Sequence, residues 1–103
     1  MANLLIVDDE LGMRQFLTHL LQREGHAVRV AENGYDAIAQ MHQHAPDLII
    51  SDIRMPDMGG VDLLRAAKEL LPEVEVIMMT AFANVDTARE AFLLGAYDFV
   101  QKP

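Results

Sequence analysis

Short runs that are apolar at nearly every position recur along the chain: NLLIV (3–7), AVRVA (27–31), DLIIS (47–51), VEVIMMT (74–80) and AYDFV (96–100). Such runs predict strands, and LLIV and VIMM, which lack polar alternation, predict strands buried on both faces. Between them the apolar positions switch to helical spacing. Met13, Phe16, Leu17, Leu20 and Leu21 make one core-facing stripe, and Ala37, Ile38, Met41 and Ala45 begin another. At ~100° per residue, Leu11 lies about 150° from the centre of the first stripe and is expected to face water. The punctuation agrees with this reading. Gly25 and Gly95 stand where helix ends favour a left-handed residue, Asn33 and Asn84 where N-caps are wanted, and Pro46 and Pro72 just past helices.

Strand and helix therefore alternate, which predicts an α/β fold of βαβ units around a parallel sheet. The 103 residues suit one domain. Sixteen acids against eight Lys plus Arg give a formal charge of −8, which disfavours direct contact with nucleic acid. No cysteine occurs, and no apolar run approaches the ~20 residues of a membrane span, so the expectation is a cytoplasmic protein without a membrane segment.

In open parallel sheets, ligands bind outside the carboxyl ends of the strands. Asp8 and Asp9 close the first run, Asp52 the third and Thr80 the fourth, while Lys102 follows the fifth. Two carboxylates ~5 Å apart repel by roughly 3 kcal/mol at an effective dielectric near 20, so the gathering of acids calls for a cation. Lys102 supplies one charge. A hard divalent ion with oxygen ligands supplies the rest, and Mg²⁺ suits a site with few carboxylates, waters and a phosphate. Glu10 reads instead as a solvated acid at the start of the first helix, favoured by the dipole there. His19, His26, His42 and His44 have no metal-ligand spacing and read as structural or solvated, and the seven methionines as core filling.

The segments VDDE (7–10), SDIRMPDMGG (51–60), MTA (79–81) and KP (102–103), in this order and spacing, resemble the receiver domain of bacterial two-component response regulators. DIRMPDMGGVDLL and GAYDFVQKP resemble the receivers of enhancer-binding transcription activators. The resemblance implies a flavodoxin-like, doubly wound sheet of five parallel strands in the order 2-1-3-4-5. It implies that Asp52 accepts a phosphoryl group from a sensor histidine kinase or a histidine phosphotransfer protein, with slow autodephosphorylation, in a switch that is not a conventional turnover enzyme. Mg²⁺ or Mn²⁺ would be held by Asp9, Asp52 and the carbonyl of Arg54, with Asp8 assisting through water. Thr80 and Lys102 would bind the phosphoryl oxygens, and Thr80 and Phe99 would form the switch. Ala81 matches the family's small residue beside Thr80, while Arg54 and Phe82 fall where receivers vary. Leu11, Gly12 and Pro103 are expected to form an apolar docking patch for the kinase. An output domain, of the DNA-binding kind in such activators, would lie outside this chain.

Two other classes share some of these features. A hydrolase with an aspartyl nucleophile would also use Asp52 and Mg²⁺, but its motif wants a second acid two positions on, where Arg54 stands. An FMN-binding flavodoxin would want a Ser/Thr/Gly-rich phosphate loop where DDE stands. The pattern stops at FVQKP, so the expectation for residues 1–103 is a receiver truncated before its last helix. Apolar groups among Val76, Met78, Phe99 and Val100 would then be open to water, favouring self-association.

Overall fold

The computed structural model describes residues 2–81 and 84–102. Phe82 and Pro103 lie outside the described residues. Five strands alternate with four helices among those described: β1 (Asn3–Val7), α1 (Leu11–Arg23), β2 (Ala27–Ala31), α2 (Gly34–Gln43), β3 (Leu48–Asp52), α3 (Gly60–Leu70), β4 (Glu75–Thr80), α4 (Val85–Leu93) and β5 (Asp98–Gln101). All pairings are parallel, in the order β2-β1-β3-β4-β5, which is the expected doubly wound sheet.

The expected punctuation is present. Asn33 and Asn84 each accept a backbone N–H three residues on, from Asp36 and Thr87 at 2.8 Å, satisfying donors that the first helical turn leaves without partners. Gly25 and Gly95 have positive φ of 91° and 101°, where a side chain would be strained. Ala45 is the exception: α2 stops at Gln43, and His44, already extended, bonds back to Gln40.

Period-2 alternation divides the apolar residues between two layers. On one face Leu5, Val7, Ile49, Val76 and Met78 pack with Ala37, Met41, Leu63, Leu64, Ala67 and Ala91 from α2, α3 and α4. On the other, Ile6, Ile50 and Met79 pack with Leu17 of α1. This parity corrects two expectations. Val76 and Met78 are fully buried beneath α3 and α4, so they are not open to water; Phe99 shares their face and is half-buried, and Val100, on the opposite parity, is exposed. Phe16 and Leu20 are exposed rather than core, because Met13, Leu17 and Leu21 take the sheet-facing line of α1 and leave those two on its flank.

Candidate functional site

Asp52 is the last residue of β3 and Thr80 the last of β4; Asp8 and Asp9 directly follow β1, and Lys102 directly follows β5. The parallel register brings these strand ends to one edge. The Lys102 amide donates to the Thr80 carbonyl at 2.7 Å, which ties the lysine to the end of β4. Asp8 is held from two sides. Its Oδ1 accepts the Glu10 N–H at 2.9 Å, and its carbonyl accepts from Nη1 of Arg14 at 2.7 Å.

Lys102 Nζ meets three carboxylates, Asp52 at 2.9 Å and Asp8 and Glu10 at 3.0 Å each. Asp52 Oδ1 also accepts the Arg54 N–H at 3.2 Å. Burial pushes the Asp52 carboxyl above the usual aspartate range, aided by the charge of Asp8; the Lys102 and Arg54 hydrogen bonds oppose this without cancelling it. For Lys102, burial works to lower the ammonium, but hydrogen bonds to Asp52, Glu10 and Asp8 outweigh it and hold it above the ordinary lysine range.

One ligand oxygen from each of Asp8, Asp9, Glu10 and Asp52 lies within 4.8 Å of the others. Four carboxylates around a single ammonium leave excess negative charge, and the donor set is entirely oxygen, the chemistry that fits a hard divalent cation. A pocket of about 190 Å³ opens here, lined by Asp9, Glu10, Asp52, Arg54, Thr80, Ala81 and Lys102. A larger groove of about 600 Å³ runs between α1 and β2 and contains none of these acids.

The residues singled out in the sequence therefore converge, with one correction. Glu10 occupies the N-cap of α1 but caps no N–H with its side chain; the carboxylate turns to Lys102 instead. Arg14 was not foreseen, and its only sequence signal is a place one turn into the helix that follows the acids. Leu11 and Gly12 are exposed as expected. Phe99 pairs with Met78 in the β4–β5 register, two residues below Gln101, the partner of Thr80, and packs against the α2–α4 core.

Residues 4–103 match the family model described as the response regulator receiver domain. The chain is 41% identical over 102 residues to the DNA-binding transcriptional regulator NtrC of Proteus hauseri, covering 99% of this chain and 22% of that protein. It is 40% identical over 101 residues to the transcriptional regulatory protein ZraR of Salmonella typhimurium, covering 98% of this chain and 23% of that protein. It thus spans less than a quarter of these relatives. Among solved structures, the chemotaxis protein CheY4 of Vibrio cholerae superposes with a TM-score of 0.94 at 32% identity, over 100% of this chain and 88% of that one. No helix among the described residues is long and apolar enough to cross a membrane.

Proposed function

Since the chain belongs to the response regulator receiver family, in the branch of the enhancer-binding regulators, we propose that it is a switch charged at Asp52 by a phosphohistidine donor. The observation that carries this reading is the buried Asp52 carboxylate with Lys102 Nζ at 2.9 Å at the edge of an acidic pocket. One Asp52 oxygen attacks phosphorus, the bond from phosphorus to the donor's imidazole nitrogen breaks, and the imidazole leaves with a proton from solvent. Such a transfer needs positioning and neutralisation more than covalent chemistry. Asp52 is positioned by the Arg54 N–H and by Lys102, which occupy one lone pair on each oxygen and leave others for attack.

Asp9, Asp52 and the Arg54 carbonyl would hold Mg²⁺, or Mn²⁺, with Asp8 behind them; the ion supplies positive charge opposite the transferring oxygens. Lys102 and the Thr80 hydroxyl donate to those oxygens. The signal passes to an output domain beyond this segment, and Leu11 and Gly12 present the docking surface to the kinase. The test is intact mass after incubation with Mg²⁺ and a small acyl phosphate. One phosphoryl increment is expected, and an unchanged mass at every Mg²⁺ concentration would overturn the proposal.

Thr80 and Phe99 form the two-state element. Thr80→Ala is expected to permit phosphorylation while shrinking the chemical-shift changes around Phe99 on charging. Changes as large as in the wild type would place the coupling elsewhere.

A further inference from the structure

An ammonium group has three N–H donors. In Lys102 the Nζ has three carboxylates within 3.0 Å: it donates to Asp52 at 2.9 Å and to Glu10 at 3.0 Å, and it forms an ion pair with Asp8 at 3.0 Å. If Lys102 is to donate to a phosphoryl oxygen, one of these contacts must yield. The three are not equivalent. The Asp8 and Asp52 side chains are 2% and 7% exposed, and each is held by a further backbone N–H, from Glu10 and Arg54. Taking the lysine from either leaves a buried carboxylate without its cation, which is costly. The Glu10 side chain is 65% exposed, so water replaces the ammonium there at little cost, as at other solvent-facing ion pairs.

We propose that Glu10 is a placeholder for the phosphoryl oxygen: its carboxylate occupies the third donor of Lys102 in the resting protein and gives it up when Asp52 is charged. This rests on the reading of Asp52 as the acceptor. Glu10 is a positioning residue. It holds the Nζ at the mouth of the pocket before the phosphoryl group arrives, and it competes with that group afterwards. Removing it leaves Lys102 anchored by Asp8 and Asp52 with one donor unspent.

The test uses Glu10→Gln, trifluoroberyllate as a tetrahedral phosphoryl mimic and saturating Mg²⁺. The variant is expected to bind the mimic about two- to fivefold more tightly, the gain from deleting an exposed competing ion pair. The ¹⁵N signal of Lys102 Nζ should differ between wild type and Glu10→Gln in the free state and converge when both are saturated with the mimic. A difference that persists in the bound state would show that Glu10 never lets go. Weaker or unchanged binding, or a Mg²⁺ midpoint raised more than tenfold, would show that Glu10 serves the metal or nothing, and either result sinks the placeholder role. If wild type takes neither the mimic nor a phosphoryl increment, the acceptor reading falls as well; if wild type is charged normally and the signals fail to converge, only the role of Glu10 falls.

Discussion

Asp52→Asn is expected to abolish phosphoryl uptake while leaving the domain folded. The amide has no anionic oxygen to attack phosphorus, and the other acids are poorly placed to substitute. Asp8 is buried, with its carboxylate engaged by the Glu10 N–H and by Lys102, whereas Asp9 faces solvent and is not among the partners of Lys102. The fold should survive for an electrostatic reason. Burial already drives the Asp52 carboxyl toward its neutral form, and Asp8 adds to that drive, so a neutral isostere relieves repulsion that the native carboxylate must bear. Intact mass and thermal unfolding decide the two halves separately. A phosphoryl increment at wild-type stoichiometry would show that the acceptor lies elsewhere, and a collapsed melting transition would show that the carboxylate is structural.

Gly60→Ala is expected to be the most damaging small substitution near the site. α3 begins at Gly60 immediately beside the end of β3, where its N–H donates to the Ile53 carbonyl at 2.8 Å. A Cβ there would stand 2.1 Å from the Asp52 carbonyl oxygen and 2.8 Å from the Ile53 Cα. Both obstacles are backbone, so the helix must retreat from the strand or the strand end must bend. A loss of about 3 kcal/mol is expected, at the upper end for overpacking, with slower phosphorylation because the displaced residue is the proposed acceptor. Gly34→Ala is the control. The three atoms nearest its Cβ would be Sδ, Cγ and Cβ of Met58, at 2.6, 2.9 and 3.0 Å, and the two closest of these move with a change of the methionine rotamer. Equal denaturation midpoints for the two variants would refute the argument from rigid and flexible neighbours.

The elements and their ends were legible in the chain because they depend on local chemistry, whereas the strand order came from the resemblance to the receiver family. Runs of apolar residues, left-handed glycines and Asn caps act within a few positions, and connection rules for parallel strands narrow the order in which they pair. The five strand-end residues could thus be assigned to one edge without coordinates. What could not be read depends on which neighbour arrives across the fold. Glu10 looks like an ordinary helix-start acid until β5 brings Lys102 within 3.0 Å of it. Phe16 and Leu20 fit the helical stripe, yet Met13, Leu17 and Leu21 pack against the sheet while those two stay exposed. Val76 and Val100 look alike in sequence, yet Val76 lies under the α3–α4 layer on a central strand while Val100 lies on the opposite face of the edge strand β5.

The contact between Lys102 and Glu10 joins residues 92 apart, and that between Lys102 and Asp52 spans 50. During synthesis at roughly 5–20 residues per second, the acids leave the ribosome several seconds before their lysine does. Through that interval the strand ends repel one another without the ammonium that holds them, and the loop joining them must close before any contact rewards it. The paired acidic edge is therefore assembled only after β5 has been made. A half-made chain carries Asp52 without the cation that pairs with it, so this edge exists only in copies whose fifth strand has already docked.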